Sequence, residues 1–374
     1  MARVRAAAAS ALVLLMTGSS AALADAHLPQ RSGLPAGPLP WGSTTRGSPL
    51  GGDVLIADSG AHRLLLVTPG GQVIWQYPRS GGPSPLGYMD DAFFTPSYDG
   101  IVTNEEDANA IAIVGFRSDQ VVWTYGRPGV AGAAPGLLHT PDDALLQETA
   151  SGPQVTLADI ANDRVLTISV NTGTVVSQYG QTGVDRNNPP TYLASPNGAF
   201  PGPGGSLLIT QIGGDSASLI SASGQLIYNI HFPAPLTYPS DANFTPSGKI
   251  IVTFYSRPGA VAEFAPTGQL LWLYRPLSGA GALNHPSLAR LLATGMVLVS
   301  DDLNDRVVVI DPTTNAIVWQ YGHTGQPGST AGYLVQPDGF DLLPAGVVPG
   351  ACPAPQLRAG PKQVECGARS QNSP

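Results

Sequence analysis

One short apolar segment recurs six times along the chain, and this periodicity restricts the fold more than any other feature. Each copy starts with two aliphatic residues, and most copies continue to a Trp and a Tyr, as in Val73-Ile74-Trp75-Gln76-Tyr77. The copies occupy residues 73–77, 121–125, 175–179, 226–230, 270–274 and 317–321, so that their ends lie 44 to 54 residues apart. A regular period of this size is typical of repeat architectures.

Two further pieces recur upstream of each copy. The segment Asp159-Ile160-Ala161-Asn162-Asp163-Arg164 matches residues 301–306, and residues 58–63 form a looser copy. A second piece, which we call the start, lies further upstream and consists of one Pro followed by small or polar residues. It occurs at residues 141–144, 196–199, 239–242 and 286–289, and residues 89–92 form a copy without the Pro. Turn-forming residues separate these pieces, so each unit reads as four short strands.

Composition excludes the other repeat classes. The 374 residues include 45 glycines and 36 prolines, which helical repeats would not tolerate. The apolar fraction of 43% exceeds what a disordered chain carries. Four strands per unit and six units predict an all-β fold, a six-bladed β-propeller with four-stranded blades over residues 51–344. Because the first unit lacks its start, we expect the C-terminal strand 337–343 to complete the first blade and close the ring.

The two ends of the chain differ in composition from the repeats. Residues 1–24 are basic, then apolar, then rich in small residues, which is the order of a cleaved signal peptide and predicts a secreted protein. Residues 25–50 form a Pro/Gly/Ser-rich linker, and residues 345–374 form a Pro/Ala/Gly-rich tail with Cys352 and Cys366. Export makes a disulfide between these two cysteines a possibility. No later stretch is apolar enough to span a membrane.

The formal net charge of −8 restricts the kinds of molecule that the chain can bind. An acidic chain without a basic cluster repels phosphate backbones, so nucleic acid is excluded as a partner. The partner that we expect is therefore a small molecule, a glycan or a protein segment. We expect the chain itself to be a monomer.

The repeats resemble the NHL-repeat family of six-bladed propellers, which is related to the pyrroloquinoline-quinone-like and strictosidine-synthase-like propellers. The resemblance covers about residues 51–344 and rests on the Asp-x-x-Asn-x-Arg-Val pieces at 159–165 and 301–307 and on the Trp-x-Tyr endings. It implies the propeller fold. It leaves function open, because such propellers include binding modules, lyases and hydrolases.

Polar residues collect at one face of the predicted ring, where the inter-blade loops and the loops after the second strands meet. One repeat position gives Asp58, Glu105, Asp159, Gln211, Tyr255 and Asp301, and the start positions give Asp90, Asp91, Asp142, Asp143, Asn197, Asp241 and Asp338. From these we select as ligand-binding candidates Asp58, Asp91, Asp143, His139, Asp241 and His285. Candidate metal ligands are Glu105, Asp159, Asp241 and Asp301, with calcium as the candidate cation. Candidate catalytic residues are His139, His285, His323 and Tyr255.

Each set has a structural alternative. Asp58, Asp159 and Asp301 recur with an Arg downstream, which is also the pattern of loop-capping aspartates. The Asp-Asp starts also suit turns.

Two functions from different classes fit these residues. The favoured hypothesis is a ligand- or protein-binding module that uses the acidic, His-bearing face, because no nucleophile elbow or other catalytic motif occurs. The alternative is a metal-dependent, lactonase-like hydrolase or lyase whose channel carboxylates hold a divalent cation. A quinone-dependent dehydrogenase is a third possibility that only the resemblance suggests.

Overall fold

The computed structural model describes residues 48–79 and 84–350. It contains six four-stranded antiparallel sheets, which are the six blades of a β-propeller. The fold class expected from the repeats is therefore confirmed. The predicted signal peptide, nearly all of the linker and both cysteines lie outside the described residues.

The strands follow the predicted order of four per blade. Blade 1 contains β1 (Gly52–Asp58), β2 (Arg63–Val67) and β3 (Val73–Tyr77), and blade 2 contains β4 (Phe93–Phe94), β5 (Gly100–Glu105), β6 (Ala110–Gly115) and β7 (Gln120–Gly126). Blade 3 contains β8 (Pro141–Thr149), β9 (Gly152–Asp159), β10 (Arg164–Ser169) and β11 (Val175–Tyr179), and blade 4 contains β12 (Pro196–Pro201), β13 (Leu207–Gln211), β14 (Ser216–Ile220) and β15 (Leu226–His231). Blade 5 contains β16 (Pro239–Phe244), β17 (Ile250–Phe254), β18 (Ala260–Phe264) and β19 (Leu270–Tyr274). Blade 6 contains β20 (Pro286–Leu291), β21 (Val297–Asp301), β22 (Arg306–Asp311) and β23 (Ala316–Gly322), and β24 (Pro337–Pro344) follows it.

Short 3-10 helices interrupt four loops, at Ser59–Ala61, Ile160–Asn162, Pro203–Gly205 and Asp302–Asn304. Within the described residues, none of the helices has the length and apolar character that crossing a membrane requires.

The ring closes through the last strand, as the sequence predicts. β24 pairs antiparallel with β1, with Phe340 opposite Ile56, and becomes the innermost strand of blade 1. This pairing joins the two ends of the repeat region and leaves no open edge between blades 1 and 6.

The repeated aromatic residues pack between blades. Trp75 stacks on Phe116 of blade 2 with ring centroids 4.5 Å apart, and its Nε1 donates a hydrogen bond to the Phe116 carbonyl. Tyr77, Tyr274 and Tyr321, which end the outermost strands, are fully buried. Apolar clusters that span adjacent blades therefore hold the ring together.

Each innermost strand begins at one face of the ring, which we call the upper face. The residues just before the repeated Pro are Thr140, Ser195, Tyr238, His285 and Gln336, and all adopt positive φ. The innermost strands end at the opposite, lower face.

A β-bulge follows the repeated Pro. Pro196 pairs with Gln211 and Ala199 with Ile209, so one extra residue lies on the innermost strand. The same irregularity occurs in blades 1, 3, 5 and 6. Bulges redirect side chains and are frequent beside functional sites. Here they lie where the start positions reach the axis of the ring.

Candidate functional site

Six aspartates from the start positions surround the upper part of the axis, and none is more than 5% exposed. This axial acid cluster consists of Asp90, Asp91, Asp142, Asp143, Asp241 and Asp338. It spans blades 1, 2, 3 and 5 because each aspartate belongs to, or directly precedes, an innermost strand.

Three members of the cluster meet the distance requirement of a metal site. One carboxylate oxygen each from Asp90, Asp91 and Asp142 lies within 4.8 Å of the other two. Oxygens that share a calcium ion lie about 2.4 Å from it and therefore within about 5 Å of one another. Among the described residues this is the one group of three that satisfies the criterion.

Several buried oxygens in and beside the cluster lack a hydrogen-bond donor. Both carboxylate oxygens of Asp143, Oδ1 of Asp91 and Oδ1 of Asn197 have no hydrogen-bond partner. The three residues are at most 2% exposed. Buried polar atoms are normally satisfied, so these acceptors point to a positive group that fits among them.

The electrostatics of the cluster favour the same conclusion. Burial raises the pKa of Asp91 well above its usual range, and the neighbouring carboxylates of Asp142 and Asp338 raise this pKa further. Burial also raises the pKa of Asp143, with Asp241 as the next cause. Asp91 and Asp142 repel one another, as do Asp143 and Asp241, so a shared proton or a cation between the two carboxyl groups would stabilise each pair.

Neighbouring backbone and side chains hold the cluster in place. Asn104 Nδ2 donates to Asp142 Oδ1 and to the Pro141 carbonyl, both at 3.2 Å, and thereby ties blade 2 to blade 3. Asn104 Oδ1 accepts from the Asp91 amide at 3.2 Å. Sequence reasoning missed Asn104 because the repeats do not share this residue.

Two glycines leave room for the carboxylates. A Cβ at Gly339 would lie 2.1 Å from Asp91 Oδ1, and a Cβ at Gly198 would lie 2.6 Å from Asp241 Oδ1. Both glycines occupy the start position that carries Asp91, Asp143 and Asp241 in blades 2, 3 and 5. Gly at these two positions thus lets the remaining carboxylates extend into the space at the axis.

The predicted metal ligands do not come together. Asp159 and Asp301 each form an ion pair at 2.7 Å, with Arg164 and Arg306 respectively. Glu105 Oε2 accepts a hydrogen bond from the Gly87 amide. Of the predicted set, only Asp241 belongs to the axial acid cluster.

Asp58, Asp159 and Asp301, which we call the loop-anchor aspartates, share one arrangement. In each, one oxygen binds the Nε of the Arg five residues later, and the other accepts an amide from the preceding inter-blade loop. These amides belong to Val335, His139 and Asn284, at 2.6 to 2.7 Å. The geometry agrees with the capping alternative that the sequence left open.

Strand register corrects one repeat alignment. Pro239 pairs with Phe254, just as Pro141 pairs with Asp159 and Pro286 with Asp301. Phe254, and not Tyr255, therefore occupies the loop-anchor position of blade 5. Tyr255 follows the strand in the upper-face loop.

The candidate catalytic residues form separate groups. Tyr255 and His285 lie together, with ring centroids 4.8 Å apart, and the Tyr255 hydroxyl donates to Asp302 Oδ2 at 2.6 Å. His323 stacks on Tyr333 at 4.1 Å. His139 has an exposed side chain and contributes its backbone amide to a loop anchor.

No protein-family model matches the chain, and no curated protein matches it. Solved structures do match. A protein of unknown function from Bacteroides caccae is 14% identical, with a TM-score of 0.54 over 77% of this chain and 97% of that chain. A chain in the crystal structure of a nidogen/laminin complex is 12% identical, with a TM-score of 0.54 over 78% of this chain and 97% of that chain. These likenesses support the propeller fold.

Proposed function

We propose that this chain is an exported binding propeller whose axial acid cluster holds a calcium ion and whose upper face binds a ligand or a protein segment. The observation that carries the proposal is the buried group of Asp90, Asp91 and Asp142, with donor-free oxygens of Asp91 and Asp143 beside it. A cation at this point would offset the repulsion that Asp91 experiences from the carboxylates of Asp142 and Asp338.

The donor set favours calcium over other common cations. All the candidate ligands are carboxylate or amide oxygens, which hard cations prefer. Calcium accepts six to eight such oxygens in flexible geometry, whereas magnesium requires a near-ideal octahedron and retains several waters. A buried site with many carboxylate oxygens and little exposure suits the larger ion.

Such an ion would act on the upper face through the strands that hold it. The aspartates come from the starts of the innermost strands, and the inter-blade loops lead directly into these starts. A bound cation would therefore fix the position of the loop that carries His139, which leads into the strand of Asp142 and Asp143. A propeller of this fold occurs in the nidogen/laminin complex, which is in keeping with a binding role.

Calcium titration tests the proposal. Protein freed of metal by a chelator should bind one calcium ion per chain in isothermal titration calorimetry, and its Tm should rise. Asp142→Asn should weaken calcium binding at least tenfold because it removes one charged ligand. Asp107→Asn, which alters an exposed carboxylate of the same face, is the matched control and should bind calcium normally.

Two outcomes would contradict the calcium site. The first is an absence of both binding heat and a Tm shift with the wild-type protein. The second is an Asp142→Asn variant that binds calcium as tightly as the control variant does.

The contact between Tyr255 and His285 favours a second candidate function, a lactonase-like hydrolase. An imidazole and a phenol at one rim of the ring, with Asp302 bound to the phenol, are groups that can transfer protons. Hydrolysis of simple lactones, followed by pH-stat with and without chelator, tests this candidate. It fails if His285→Ala and Tyr255→Phe leave any observed rate unchanged.

Export is tested separately at the N-terminus. We expect the protein recovered from outside the expressing cell to begin at Asp25, as N-terminal sequencing would show. A secreted protein that retains Met1–Ala24 would contradict signal cleavage.

A further inference from the structure

A cavity lies at the lower end of the axis, away from the axial acid cluster. It has a volume of about 530 Å³. The innermost strands of blades 3, 4, 5 and 6 line it, mainly through Leu145, Phe200, Asn243, Phe244, Arg290 and Leu291. We call it the lower cavity. Its volume lies within the range of about 300–1,000 Å³ that small-molecule sites have.

An aromatic pair separates the lower cavity from the acid cluster. Phe93 and Phe200 meet edge to face with ring centroids 5.9 Å apart, although they belong to blades 2 and 4. Since these blades are not neighbours, the two rings meet across the axis. The same strands therefore carry carboxylates above this pair and an apolar cavity below it.

Arg290 is the one charged residue in the cavity lining within the described part of the chain. Its Nη1 binds Asp341 Oδ1, and the other Asp341 oxygen accepts from the Phe94 amide at 2.9 Å. Asp341 is thus held on the side of blades 1 and 2, outside the cavity lining. No further hydrogen bond to Arg290 occurs among the described residues, and 27% of its side chain is exposed. Its Nε and Nη2 donors are available to a molecule in the cavity.

We propose that the lower cavity binds a small hydrophobic carboxylate. Phe200, Phe244, Leu145 and Leu291 would cover the apolar body, and the guanidinium of Arg290 would bind the carboxylate, since its planar fork suits two oxygens. With a formal net charge of −8, the chain has no long-range attraction for anions. Affinity must therefore come from the apolar walls together with the local contact to Arg290.

The test uses octanoate as the probe and octanamide as its uncharged match. In calorimetry the wild-type protein should bind octanoate at least tenfold more tightly than octanamide. Arg290→Gln should weaken octanoate binding at least tenfold and abolish the preference over the amide. Leu145→Trp, which fills the space beside Phe200, should weaken both probes.

Two further variants distinguish a loss of octanoate binding from a loss of protein stability. Lys249→Gln removes a positive charge on the lower face that pairs with Glu263 outside the cavity lining, and it should bind octanoate as the wild type does. The double variant Arg290→Gln/Asp341→Asn avoids an unpaired carboxylate and should behave like Arg290→Gln.

Three outcomes would overturn the proposal: no octanoate binding to the wild type, equal binding of the two probes, or undiminished binding by both Arg290→Gln and Leu145→Trp. A change of oligomeric state in Leu145→Trp would instead indicate that a second copy of the chain covers the cavity. Calcium binding by the upper cluster is measured independently, so either site can fail alone.

Discussion

The loop-anchor aspartates and the axial acid cluster contain the same residue type on the same face, but their surroundings differ. Asp301 is fully buried, and Arg306, Asn304 and the Asn284 amide satisfy its oxygens. Asp143 is equally buried, yet no donor reaches either of its oxygens. Burial alone therefore does not tell the two groups apart, because hydrogen-bond donors reach the oxygens of Asp301 and none reaches those of Asp143.

The largest effect should come from removing a loop-anchor arginine. Arg306 is 1% exposed and also donates to the carbonyls of Ala280 and Ala282. Arg306→Ala should lower the free energy of unfolding by about 3–5 kcal/mol, because it leaves the buried Asp301 charge without its partner. Urea unfolding measures this loss.

The exposed Arg127 provides the control, and Arg127→Ala should change the free energy of unfolding by less than about 0.5 kcal/mol. The double variant Arg306→Met/Asp301→Leu should recover part of the loss, since it removes both charges but leaves the Asn284 amide and the Asn304 side chain without their acceptor. A loss in Arg306→Ala no larger than that of the control would refute the anchor role.

The second prediction concerns pH at Asp58. Burial raises the pKa of Asp58 to about 6, against the lowering effect of the Arg63 guanidinium. The folded state thus holds this proton more tightly than the unfolded state, in which the pKa is near 3.8. The contribution of Asp58 to the free energy of unfolding should fall by about 2 kcal/mol as the pH rises from about 4 to about 6.

Asp58→Asn should remove this part of the pH dependence, whatever constant loss it causes. Unfolding free energies of wild type and variant at a series of pH values measure the difference between the two slopes. Parallel curves for the two proteins between pH 4 and pH 6 would disprove the assignment.

The smallest effect has the opposite sign. Without calcium at neutral pH, Asp143→Asn should raise the free energy of unfolding by about 1–2 kcal/mol, because it removes a carboxylate crowded by Asp241 and Asp91. With calcium present the variant should lose this advantage, since the wild type gains more from the ion. Thermal unfolding with and without calcium checks both signs. If Asp143→Asn lowered the free energy of unfolding in the absence of calcium, as Arg306→Ala is expected to do, the prediction would be wrong.

Much of the architecture was predictable from local patterns. The period of the Trp-x-Tyr endings predicted six blades, and the extra start at residues 337–343 predicted closure through β24 paired with β1. These predictions succeed because strand pairing and ring closure depend on patterns that every repeat shares.

The candidate site was predictable only in part. The start positions included Asp91, Asp143 and Asp241, which the structure brings to the axis, whereas Asp159 and Asp301, also predicted as ligands, bind arginines. Distances between residues of different blades follow from the geometry of the ring, which no single repeat contains.

The strands, the number of blades and the face that carries the polar residues follow from the amino-acid sequence, because period and turn chemistry act within one unit. Which carboxylates meet depends on how the blades pack in the folded ring. Three features divide the axis into an acidic upper part and an apolar lower part. They are the bulges in most innermost strands, the glycines at positions 198 and 339, and the edge-to-face contact between Phe93 and Phe200. Each of these contacts joins residues that are far apart in the chain, so packing around the axis, and not local preference, sets them.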